Sequence, residues 1–179
     1  MNFSININQL ANQKHFNLYL KNNYIIESII HSDNYILISA QITDLQKNEI
    51  INYYNNITES DWLDFYKTEK FELINQKTDY LISLGYNYNG LKFSLSEKAQ
   101  TNILALYSTK DDNELSYPIS WNTIDDLQFF NITHSQTIAN IYYTALATKK
   151  NCLESGTLLK NQIRLAQTVA EVDLINDNR

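Results

Sequence analysis

The stretch that decides how this chain folds is Tyr86-Asn87-Tyr88-Asn89-Gly90-Leu91-Lys92-Phe93. Asn-Gly supplies the two positive-φ residues of a type I′ turn, and Tyr86, Tyr88, Leu91 and Phe93 can alternate onto one face, so a β-hairpin is expected here. Just upstream, Gly85 is a natural helix stop, because only glycine enters the left-handed C′ conformation at little cost. The helix it ends is expected to start near Thr58 and Asp61, a cap followed by an acidic first turn. It should run through Trp62, Phe65, Tyr66, Leu73, Ile74 and Leu81 to Leu84. Downstream, Ser94 and Glu97 have capping-box spacing, and Ala99, Ile103, Leu104, Leu106 and Tyr107 form the apolar stripe of a helix ending near Ser108.

Further outward, the polar tract from Thr109 to Ser116 reads as a surface loop. Two strands should follow, Tyr117 to Asn122 and Leu127 to Ile132, the first lying at an edge or beginning at Pro118, which cannot donate to a ladder. From Thr133 to Gln167 the pattern is helical. Ile138, Ala145, Cys152, Leu159 and Ala166 recur every seventh residue, with Tyr142 and Ile163 offset by four, a seam suited to packing. Lys149 and Gly156 interrupt that seam, which predicts a break or kink near Ser155 and Gly156. Thr168 and Glu171 repeat the capping-box spacing before a short terminal helix.

On the N-terminal side, Tyr24 to Ser28 and Asn34 to Ile42 are β-branched and aromatic runs separated by the turn-like His31, Ser32 and Asp33, and read as paired strands. A helix from Leu45 to Ile57 should follow with Asp44 as its cap. The fold class expected is therefore α+β: small antiparallel hairpins packed on helices, a long C-terminal helix, and a small N-terminal α+β lobe over residues 1–57 beside a main domain over 58–179.

Composition narrows function. The chain has 179 residues, 44% of them hydrophobic and 19% charged, so a packed core is expected. Its net charge of −6 means that the average surface repels phosphate, which argues against nucleic acid and anionic membrane as partners. No apolar run reaches the roughly 18 residues of a membrane span. The opening MNFSININQLANQ has neither a basic leader nor an apolar signal core, so neither secretion by a signal peptide nor membrane insertion is expected. One cysteine allows no internal disulfide. Abundant Asn, Ile, Lys and Tyr against 3 Gly and 1 Pro point to A/T-rich coding and say nothing of mechanism.

Catalytic signals are sparse. His15, His31 and His134 lie in different segments with no nucleophile elbow, and read as surface or capping residues. Cys152 falls on the packing seam, where a small buried hydrophobe outweighs a reactive thiolate. There is no Cys-x-x-Cys pair, no His-x-x-x-His and no calcium loop; Asp125 and Asp126 beside His134 read as ordinary turn acids. With no phosphate-cradling glycine loop either, no cofactor and no enzymatic activity are expected. Trp62 and Trp121 sit among apolar neighbours, which favours core packing over a sugar-binding surface.

The order of features in the C-terminal half is more specific than its chemistry. It comprises a helix ending in Leu84-Gly85, the hairpin, Ser94-Leu95-Ser96-Glu97-Lys98-Ala99-Gln100-Thr101-Asn102, and the strand Tyr117-Pro118-Ile119-Ser120-Trp121 answered by a second. A long helix then carries Gly156-Thr157-Leu158-Leu159-Lys160-Asn161-Gln162-Ile163, and Ala166-Gln167-Thr168-Val169-Ala170-Glu171 follows. This resembles a domain of unknown function found in bacteriophage tail-fibre and other tail-associated proteins, over about residues 65–177. The resemblance implies a virion structural protein of a tailed phage: a tail, baseplate or neck component or fibre adaptor, folded in the host cytoplasm and assembled into the tail. Its expected partners are other tail or fibre proteins and further copies of itself. The candidate interface residues are Tyr142, Leu159, Trp121 and Tyr88. The other classes weighed are a tail-fibre assembly chaperone and a receptor-binding module that stacks tyrosines and tryptophans on host glycans. The N-terminal lobe lies outside the resemblance and is the candidate attachment or partner site.

Overall fold

A computed structural model describes residues 2–6, 13–31 and 35–179. In chain order the elements are β1 (Asn2–Asn6), α1 (Gln13–Asn23), β2 (Ile26–His31), β3 (Tyr35–Ala40), α2 (Asp44–Asn56), α3 (Glu59–Ser83), β4 (Tyr86–Tyr88), β5 (Leu91–Phe93), α4 (Glu97–Thr109), β6 (Ile119–Asn122), β7 (Phe129–Ile132), α5 (Ser135–Leu165) and α6 (Val169–Leu174). The fold is α+β, with small antiparallel sheets, six helices among the described residues and a long C-terminal helix. Two compact units divide the chain: one takes Met1–Glu69 and Ala166–Leu174, the other Lys70–Leu165 and Ile175–Arg179. The first thus contains the lobe expected over 1–57, with the start of α3 and the α6 segment added.

In the first unit β3 is the central strand of a three-stranded antiparallel sheet, order β1-β3-β2. Its alternating residues Ile36, Ile38 and Ala40 all reach zero exposure and pack with Phe3, Phe16, Leu20, Ile50 and Trp62. Tyr19 stacks on Tyr53 with ring centroids 3.6 Å apart, and Phe16 meets Tyr54 edge-on. β2 and β3 fall on the expected strand runs, whereas β1 and α1 are not among the expected elements and contribute Phe3, Phe16 and Leu20 to this core. The helix cap also differs from expectation. Thr43, one residue before Asp44, accepts from the Gln46 amide at 3.2 Å while its own amide donates to Gln46 Oε1 at 2.9 Å. This is a complete capping box that Asp44, already inside the helix, cannot make. The turn expected at His31, Ser32 and Asp33 lies, from residue 32 onward, outside the described residues.

In the second unit the hairpin forms in the expected register: Tyr86 opposite Phe93, Asn87 opposite Lys92, Tyr88 opposite Leu91. Asn89 and Gly90 take φ of 49° and 79°, the I′ turn that Asn-Gly demands. Gly85 stops α3 at φ 78°, where a Cβ would also lie 2.0 Å from the Phe93 carbonyl oxygen. Tyr86, Phe93, Leu95, Ile103, Ile132, Ile138, Ile141 and Ala145 form the core, built from both hairpins and from α4 and α5. The β6–β7 turn is tied to the first hairpin by the Ile124 amide, which donates to Lys92 O at 2.9 Å.

Two expectations are overturned here. Ser96, not Ser94, caps α4 by accepting from the Ala99 amide at 3.3 Å, while Ser94 Oγ accepts from the Ser96 amide and shapes the entry to the helix. And α5 runs from Ser135 to Leu165 without the break expected near Ser155 and Gly156. Gly156 instead sits where α5 crosses α3: a Cβ there would lie 2.7 Å from Thr78 Oγ1. Lys160 reaches from α5 to Asn75 Oδ1, and the Arg164 guanidinium lies 5.2 Å from the Phe71 ring centroid, along the same crossing. Glycine interrupted the heptad because the helices need its missing side chain for close approach.

Candidate functional site

The residues singled out from the sequence do not form one surface. Tyr88 is half-buried and edge-on to Phe130, with centroids 5.5 Å apart, and Trp121 packs half-buried against the same core. Leu159 is half-buried on α5, beside Ile74 of α3. Only Tyr142 stands at an aromatic cluster on the surface. There it stacks on Tyr107, centroids 4.1 Å apart at 15°, and Tyr143 meets both rings edge-on. The Tyr107 and Tyr143 hydroxyls share a hydrogen bond of 2.5 Å, and this bond, with some desolvation, raises the Tyr107 pKa. The Lys110 ammonium lies 5.1 Å from the Tyr107 centroid.

From this cluster an open groove runs between α4 and α5. Its walls are Ile103 and Leu104 from α4 and Tyr142, Ala145 and Leu146 from α5, with Leu95 below, and Lys149 bonded to Gln100 spans it. The local reason is periodicity. Tyr142, Leu146, Lys149 and Leu153 recur at i, i+4, i+7 and i+11, a second stripe of α5 beside the one that enters the core. Leu104 is 51% exposed and Leu146 48%, two large apolar side chains that face each other across the groove, and Tyr143 and Leu153 on α5 are exposed as well. The groove encloses about 170 Å³, below the roughly 300–1,000 Å³ of small-molecule sites. It can take one or two apolar side chains of another chain, as helix-in-groove recognition does. Sequence reading missed Leu104, Leu146, Tyr107 and Tyr143 as surface residues; the adjacent Tyr142-Tyr143 pair was the one available signal, since two neighbouring helical residues cannot both enter a single core.

The groups weighed for catalysis have local structural duties. Asp125 accepts from Thr123 Oγ1 at 2.6 Å and from the Leu127 amide at 3.1 Å, bonds that hold its pKa below the usual carboxylate range. Asp126 accepts from the Asn122 amide nitrogen at 3.3 Å. The His134 ring faces the Thr133 and Thr137 hydroxyls at 2.9 and 3.1 Å, at the start of α5. Cys152 is half-buried on α5 and its carbonyl accepts from Arg179. The side chains of His15 and His31 lie outside the described residues. Among the described residues no group of three or more His, Cys, Asp or Glu is arranged to hold a metal ion, and no helix is long and apolar enough to cross a membrane. Compared with known proteins, the chain matches no family model, no curated protein and no solved structure.

Proposed function

We propose that the protein is a virion structural component of a tailed bacteriophage, a tail, baseplate or neck protein or fibre adaptor, and that it acts by docking to other proteins of the particle. The observation that carries the docking reading is the exposed apolar groove between α4 and α5, with the tyrosine cluster at its head. Tyrosines anchor interfaces well because a large, rigid surface is buried at little entropic cost, and Leu104 and Leu146 offer the apolar seat for a partner helix. The assignment to a phage tail rests on the resemblance over residues 65–177. Within that stretch lie α4 and α5, whose facing sides build the groove.

The test is quantitative mass spectrometry of purified particles alongside lysate of infected cells. The docking reading expects the protein in the particles at a fixed ratio to the tail proteins. It expects Leu146→Glu to fold with an unchanged melting temperature yet be left out of the particle. Presence in lysate but absence from particles would replace this reading with that of an assembly chaperone.

A further inference from the structure

The turn of the β6–β7 hairpin carries an apolar tip that its own core leaves uncovered. Leu127, at 81%, is the most exposed large apolar side chain among the described residues, and Phe129, two residues on, is exposed as well. Neither packs against the core of the unit. The turn that presents Leu127 is fixed by its own bonds. Thr123, which is buried, donates from Oγ1 to Asp125 Oδ1 at 2.6 Å, and the same Thr123 oxygen accepts from the Gln128 amide at 3.1 Å. The Leu127 amide donates to Asp125 Oδ1 at 3.1 Å. The leucine is thus held out on a rigid support, and little chain entropy is lost when a partner covers it.

The tip also has a definite charge. From Thr123 to Gln128 the chain carries Asp125 and Asp126 and no cation, and among the described residues neither carboxylate has an ion pair. The counterpart is the groove between α4 and α5. It takes one or two apolar side chains between Leu104 and Leu146, and the ammonium that spans it, Lys149, is bonded to the neutral Gln100 side chain, which leaves its charge without an opposing one. An apolar seat with an uncompensated cation beside it selects an apolar knob with carboxylates beside it. The tip and the groove share no residue, so one copy of the chain can offer both at once.

We infer that the hairpin tip of one copy seats in the α4–α5 groove of a second, with Leu127 between Leu104 and Leu146 and the Asp125–Asp126 pair beside Lys149. This rests on the docking reading of the groove and puts a hairpin tip in place of a helix as its occupant, because the enclosed volume suits a knob better than the long row of anchors that a helix presents. Two different patches meet, so the contact is heterologous: each copy gives its tip to one neighbour and its groove to another, and copies add to a ring or a stack. One knob in one groove buries far less than the roughly 800 Å² per partner of a standard interface, so each contact alone is weak.

Sedimentation equilibrium of the full chain, from about 20 µM to about 1 mM, tests this. The expected result is a weight-average mass that rises with concentration past that of a dimer, with a Kd of about 100 µM per contact. Leu127→Glu removes the tip and Leu146→Glu the groove, both at exposed positions, and each alone should be monomeric at about 500 µM with an unchanged melting temperature. Mixed in equal amounts they should form a dimer and nothing larger, because the groove of the first and the tip of the second make one intact contact. Leu104→Glu, also exposed, replaces Leu146→Glu if that variant does not fold. Lys149→Glu should weaken association by about fivefold. A native chain that stays monomeric throughout would overturn the inference. So would either leucine variant associating as the native chain does, a mixture that stays monomeric, or Lys149→Glu associating at native strength. A chain monomeric in solution whose Leu146→Glu variant is still left out of particles sinks this inference and leaves the docking reading standing; association as described, with Leu146→Glu retained in particles, does the reverse.

Discussion

Gly156→Ala should destabilise the second unit although alanine is the better helix former. In an exposed helix the change would gain about 1 kcal/mol. At the α3–α5 crossing, however, the new Cβ would lie 2.7 Å from Thr78 Oγ1, 3.0 Å from Arg179 Nη1 and 3.5 Å from Ile74 Cγ2. The arginine tip is the end of a flexible side chain and can move. Thr78 cannot: it is buried, β-branched, and donates to Ile74 O at 2.7 Å. The helices must therefore separate by a few tenths of an ångström, an overpacking cost of about 1–3 kcal/mol that outweighs the helix gain. The net expectation is a loss of about 1 kcal/mol. Thr78→Ala removes the obstructing atom and leaves no carbonyl orphaned, because Ile74 O also accepts from Arg179 Nη2 at 3.3 Å. In that background Gly156→Ala should become neutral or stabilising, giving a coupling of about 1–2 kcal/mol. Urea unfolding of the four proteins in the Trp62→Phe background, read by Trp121 emission, follows this unit alone. A stabilising Gly156→Ala in the otherwise native chain, or additive effects within about 0.3 kcal/mol, would refute the reasoning.

The cap of α4 predicts that Ser96→Ala costs about 1 kcal/mol in urea unfolding and Ser94→Ala less, the reverse of what the Ser94/Glu97 spacing suggests. Burial raises the pKa of Tyr86 well above the usual phenol range, and the Trp121 indole only partly offsets this. Because the folded value exceeds the unfolded one, its contribution is complete below the ordinary 10.0 and falls as pH rises above it, by up to about 1.4 kcal/mol per pH unit. Tyr86→Phe should flatten that part of the stability–pH curve. Arg179 donates to Cys152 O, Ser155 Oγ and Ile74 O and pairs with Asp177 at 2.6 Å, with only 14% of its side chain exposed, so Arg179→Ala should cost about 2 kcal/mol. The same pairing holds the Asp177 pKa down, so its stabilisation is present above the ordinary 3.8 and is lost as pH falls below it. In Arg179→Ala that acid limb should be shallower, as measured by unfolding between pH 5 and pH 2.

What could be read in the chain was whatever a few neighbouring residues decide. Asn89-Gly90 dictates its turn and thereby the register of Tyr86 against Phe93, because the required positive φ is a property of those two residues. Gly85 ends α3 for the same kind of reason, and the seven-residue recurrence from Ile138 marks one helix face. Cap positions were legible only to within a residue or two, since Thr43 against Asp44 and Ser96 against Ser94 differ in which oxygen the first turn actually faces. Pairing of β1 with β3 was not legible, because that ladder joins residues about thirty or more positions apart and nothing local to Asn2–Asn6 specifies the partner.

The hairpin from Tyr86 to Phe93 was thus determined by the sequence itself, through turn chemistry confined to neighbouring residues. The rest was decided by what other elements bring alongside. Gly156 reads as a helix breaker until α3 places Thr78 against it, when the same missing side chain becomes the reason α5 can continue past α3 at close approach. Leu104 reads as part of the apolar stripe of α4 until Ile103 and the residues of β4, β5 and α5 fill the interior and leave it 51% exposed. A side chain's local pattern states what it prefers to touch, and only the assembled elements determine what is there to be touched.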